Sequence, residues 1–78
     1  MQASRHQSLS DYYRLTYIEW RMAYGLSDCC MNELVAAMRV EVDHPGIERQ
    51  DALRLRKLIM MIEAELHLAQ ILLVDQAA

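Results

Sequence analysis

Phenylalanine is absent from this chain of 78 residues, and there are only two glycines, one proline and two cysteines. With so few turn formers, long helices are expected. No segment alternates as a strand would, repeats at a fixed period or has low complexity. Gly-rich phosphate loops, nucleophile elbows, paired-cysteine zinc motifs and EF-hand spacings are missing too. Enzymatic activity and a bound cofactor are therefore not expected. The two cysteines, Cys29 and Cys30, are neighbours. Neighbouring side chains on a helix diverge by about 100°, so these two cannot pair with each other, and a reducing, cytoplasmic setting is expected.

Positive charge is also scarce. Eight Lys and Arg against eleven Asp and Glu leave a net charge of −3. That balance argues against a general binder of nucleic acid or anionic membranes. The opening stretch MQASRHQSLSDYYR lacks an uninterrupted apolar core, so no signal peptide is expected. Leu58 to Val74 is short for a bilayer span and carries Glu63, Glu65 and His67 in its middle. A carboxylate at the bilayer centre costs about 3 kcal/mol, so no membrane span is expected.

What remains is apolar: hydrophobic residues make up 54% of the chain, with six Met and four Tyr supplying much of the bulk. In LRLRKLIMMIEAELHLAQILLV, the residues Leu55, Ile59, Ile62, Leu66, Ala69 and Leu73 fall on one side of a helix. Leu53, Met60, Ala64, Leu68 and Ile71 fall on nearly the opposite side. A surface helix needs one apolar stripe, and this one has two.

The spacing predicts a helix over about 9–42, introduced by the start signal Ser8-Leu9-Ser10-Asp11. Its first stripe joins Tyr13, Tyr17, Trp20 and Tyr24 to Met31, Val35, Met38 and Val42. Its second gathers Leu15, Ile18, Met22, Leu26, Cys29, Ala36 and Val40, so Cys29 reads as a small core residue. Gly25 is a weak point, costing about 1 kcal/mol in a helix interior. Ser27 or Asp28 would cap a new helix there, but both stripes keep their phase across it, and a continuous or merely bent helix is favoured. Asp43-His44-Pro45-Gly46 is the clear turn, with Gly46 free to take a positive φ and His44 read as a plain loop residue. A second helix follows over about 47–74, between a flexible terminus at 1–7 and a tail at 75–78.

These elements make a single all-α domain, a helical hairpin. A hairpin buries one stripe per helix and leaves the others in water. The expected solution is a homodimer of hairpins forming a four-helix bundle, with another protein as a further partner. Tyr13, Tyr17, Trp20, Tyr24, Met31, Leu55, Ile59, Ile62, Leu66 and Leu73 are the expected interface residues. The function class is a small protein-interaction module: an adaptor, a regulator or inhibitor, or a chaperone-like partner. One alternative is a hairpin dimer that binds nucleic acid through Arg49, Arg54, Arg56 and Lys57, although Glu48 and Asp51 lie among these. Another is a purely structural oligomer subunit. Glu63 and His67 lie one turn apart, but no Glu-x-x-His motif supports a metal site, and none is expected.

Overall fold

The computed structural model describes residues 8–77, with side-chain surroundings through Leu72. Among the described residues there are three helices and no strand: α1 (Leu9–Tyr24), α2 (Asp28–Val42) and α3 (Arg49–Ala77). The N-terminus at 1–7 lies outside the described residues, as does the side chain of Leu73. Helix α3 continues through three of the residues expected to form a tail.

Helix α1 starts where the sequence signals. Ser8 is extended (φ −69°, ψ 159°), and its Oγ accepts the Asp11 N–H at 3.2 Å. The single helix expected over 9–42 is not formed, because the chain breaks at Gly25. The Gly25 N–H closes α1 on the Arg21 carbonyl at 2.8 Å. Gly25 itself takes φ 71°, ψ −162°, a region essentially confined to glycine. Ser27 is the N-cap of α2, with its carbonyl accepting the Met31 N–H at 2.9 Å, but its side chain makes no capping bond.

The physical reason for the break lies in what it buries. A straight helix over 9–42 would be about 51 Å long, longer than the roughly 43 Å of α3, and its two halves would meet different parts of that helix. Folded back, α1 and α2 apply their first stripes to the same stripe of α3. Tyr13 and Tyr17 of α1, Met31, Leu34, Val35 and Met38 of α2, and Leu55, Ile59, Ile62 and Leu66 of α3 form one buried core.

Cross-links fix the helix directions. Ser10 Oγ donates to Asp51 Oδ1 at 2.9 Å and Tyr17 Oη to Glu65 Oε1 at 2.5 Å, so α1 runs parallel to α3. Tyr13 Oη donates to Glu41 Oε2 at 3.1 Å, joining the start of α1 to the end of α2. The three helices run up, down and up. Because α3 has 29 residues against 16 and 15 in its partners, its last turns run past them, and among its described side chains, which end at Leu72, the last buried one is Leu66.

The turn after α2 forms where expected but by a different device. Gly25 is the glycine with positive φ; Gly46 is not left-handed. The Gly46 N–H instead donates to His44 Nδ1 at 3.1 Å, which gives that imidazole a definite role in the turn. A Cβ on residue 46 would come within 3.3 Å of the same nitrogen.

Candidate functional site

The four rings grouped by the sequence divide between core and surface. Tyr13 and Tyr17 are buried, Trp20 is half-buried against the core, and Tyr24 is 64% exposed. Burial raises the Tyr13 and Tyr17 pKa values above the ordinary phenol range, and their bonds to Glu41 and Glu65 raise them further. Arg21 opposes this at Tyr17, donating to its hydroxyl oxygen at 2.5 Å and to Glu65 Oε2 at 2.6 Å. At Glu65, burial works to raise the pKa. The hydrogen bonds from Tyr17 and Arg21, with the Arg21 charge, outweigh it and hold this carboxyl below the usual glutamate value.

Met31, Leu55, Ile59, Ile62 and Leu66 lie with these two tyrosines in the chain's own core. Their apolar surface is already covered within one chain, so they are not available to a partner while this fold persists. The opposite stripes are the open ones. On α3, Leu53, Met60, Leu68 and Ile71 are exposed, together with Met61 and Leu72; on α1, Leu15, Ile18 and Met22; on α2, Val40. Cys29 belongs to this outer set and is exposed, not the core residue its stripe implied, while Cys30 is half-buried. Of this outer set on α1, Ile18 borders a groove shared with α3.

The basic cluster of α3 is divided between two grooves. Arg54 and Lys57 line a cavity of about 630 Å³ between α1 and α3, and Arg14 reaches it from α1. Arg56 lines a smaller groove of about 360 Å³ between α2 and α3, beside Arg39 and Glu63. Arg39 and Glu63 form an ion pair across that groove. Arg49, two turns before Arg56 at the start of α3, lies on the same face of that helix as Arg56. Arg54 and Lys57 thus border the α1 side of α3 and Arg56 the α2 side. Arg14 was not legible as their partner because it is 40 residues away from Arg54 in sequence; only the α1–α3 register brings them together.

No group of three or more His, Cys, Asp or Glu side chains among the described residues is placed to hold a metal ion. No helix among the described residues is long and apolar enough to cross a membrane. Comparison with protein-family models, with curated proteins and with solved structures finds no match to this chain.

Proposed function

We propose that this chain is a non-enzymatic interaction module that self-associates through the outer face of α3 and presents the remaining surface to another protein. One observation carries the reading. Leu53, Met60, Leu68 and Ile71 stand 51%, 68%, 59% and 43% exposed in a row along one helix. From Leu53 to Ile71 the row spans about 27 Å at 1.5 Å per residue. Contiguous apolar faces of this length are uncommon on monomers and mark contact surfaces.

Ala64 lies mid-row and is small enough for two helices to approach closely. Pairing two copies of the row about Ala64 brings together eight large side chains, each worth about 1.5–3 kcal/mol when fully buried. Partial burial of such a set is comparable with the 4–15 kcal/mol cost of association, which suits a reversible dimer. In this arrangement each copy keeps its three-helix fold. The four-helix bundle of two hairpins belongs instead to a form in which α1 and α2 straighten into one helix. The half-buried and exposed cysteines on α2 suit a reducing compartment, and a cytoplasmic setting is part of the proposal.

The test is solution mass by light scattering on a sizing column over a concentration series, beside the double variant Met60→Glu/Leu68→Glu. A two-chain mass that the variant reduces to one chain, with helicity unchanged, is the expected result. A single-chain mass at every concentration for both proteins would overturn self-association.

A further inference from the structure

The α1–α3 groove is polarised along its length. The Ser10–Asp51 bond sets the register. Arg14 lies one turn beyond Ser10 on α1, with Arg54 and Lys57 in the first two turns beyond Asp51 on α3; Ile18 is one turn beyond Arg14, and Leu58 and Met61 are one turn beyond Arg54 and Lys57 respectively. All six line the same cavity. The cations therefore lie toward the end of the groove nearer Ser10 and Asp51 and the apolar side chains toward the other, with Lys57 and Leu58 adjacent between them. Among the described residues, none of the three cations has a carboxylate within ion-pairing distance. Asp11 is the one acidic residue in the lining, and Asp51 nearby is engaged by Ser10. In a chain of net charge −3, this end of the groove has the opposite sign.

Beyond Ile18 and Met61 lie Arg21 and Glu65, paired with each other at 2.6 Å. The far end thus presents no unpaired charge to repel or attract a ligand. Two guanidinium forks and an ammonium lining the same groove match a carboxylate or phosphate, whose oxygens accept paired N–H bonds. The apolar end matches a hydrocarbon chain. A volume of about 630 Å³ lies within the range of small-molecule sites.

We propose that this groove binds a single-chain amphiphile with an anionic head, held as a free molecule. Its head group lies among Arg14, Arg54 and Lys57, and its tail lies along Ile18, Leu58 and Met61. The groove is concave and about 11 Å long over residues 54–61, which admits one chain and not the flat surface of a bilayer. On α3 this groove adjoins the row proposed as the dimer contact, because Lys57 lies between Leu53 and Met60 along that helix, so the titration is made at concentrations where the chain is a single copy.

The test is titration of the isotopically labelled full chain with sodium decanoate below its micelle concentration, followed by amide chemical shifts. Decyl phosphate distinguishes a phosphate head from a carboxylate. Decyltrimethylammonium supplies the same tail with the opposite charge, and acetate supplies the head without the tail. Saturable shifts along 14–18 and 54–61 with decanoate or decyl phosphate, and none with acetate or the ammonium, are the expected result. The variant Arg54→Glu/Lys57→Glu, with both sites exposed, should retain its helicity and lose affinity about tenfold or more. Should it unfold, Arg14→Gln and Lys57→Gln singly replace it, each expected to weaken binding.

Equal binding of the ammonium, or unchanged affinity in the variants, would overturn the proposal. So would shifts confined to the Leu53–Ile71 row, or co-sedimentation with phosphatidylglycerol vesicles without any response to decanoate.

Discussion

Replacing Gly25 with alanine tests the account of why this chain makes three helices. The residue sits at φ 71°, ψ −162°, and a Cβ built there meets nothing within 4 Å. Any cost of Gly25→Ala is therefore conformational, not a clash, and holding an L-residue in such a region costs about 1–3 kcal/mol. The straight alternative, with residue 25 helical, gains about 1 kcal/mol from the same change. The balance between broken and straight forms should move by about 2–4 kcal/mol toward the straight one, a large share of the stability of a domain this small. The broken form's melting temperature should fall by about 4–8 °C for each kcal/mol. D-alanine at the same position is the control, introduced by chemical ligation at Cys29 or Cys30. The mirror image of the observed angles is φ −71°, ψ 162°, an ordinary polyproline-like conformation, so D-alanine fits without strain. It should match or exceed glycine in stability, because it also restricts the unfolded chain. Circular-dichroism melts compare the three proteins, and light scattering follows any increase in the two-chain form that straightening favours. Equal losses for L- and D-alanine would refute the backbone argument.

Further outcomes follow from the core, the caps and the buried hydroxyls. Ile62→Ala, at a site 1% exposed, should cost about 2–5 kcal/mol in chemical denaturation. Leu68→Ala, at a site 59% exposed, should cost under about 0.5 kcal/mol at concentrations where the chain is monomeric. A similar cost at both would show that the core has been misplaced. Ser8→Ala removes a capping bond and should cost about 1 kcal/mol, whereas Ser27→Ala removes none and should be close to neutral in the same assay. Glu65 has its pKa lowered by folding, so its contribution is present above the ordinary glutamate value and is lost as pH falls through the folded value. Tyr13 and Tyr17 have theirs raised, so their contribution is present below the ordinary tyrosine value of 10.0 and is lost as pH rises through the folded values. Melting temperature against pH should therefore decline at both ends. Glu65→Gln should flatten the acid limb and Tyr17→Phe the alkaline one; unchanged limbs would remove these groups from the account.

Helical periodicity alone separates two apolar stripes on each helix, because side-chain direction repeats every 3.6 residues whatever the helix packs against. On α3, Leu55, Ile59, Ile62 and Leu66 are inside and Leu53, Met60, Leu68 and Ile71 are outside, as that division implies. On α1 and α2 it also separates Tyr13, Tyr17, Met31, Val35 and Met38 from Leu15, Ile18, Met22 and Val40. The all-α class, the start at Ser8 and the turn at 43–46 are local matters of the same kind. Capping atoms, proline and glycine act within a few residues of where they stand.

Tertiary structure decided how the chain uses Gly25, which stripe is covered and which distant side chains meet. A glycine costs a helix about 1 kcal/mol, too little to choose between a straight and a broken chain. The choice rests on whether Tyr13 and Tyr17 can join Met31 and Met38 on a single stripe of α3, a sum over contacts distant in sequence. The same folding back brings Arg14 to the groove that Arg54 and Lys57 line. Local spacing sets the direction of each side chain on its own helix, but the neighbour it meets depends on the register between helices, which long-range burial determines.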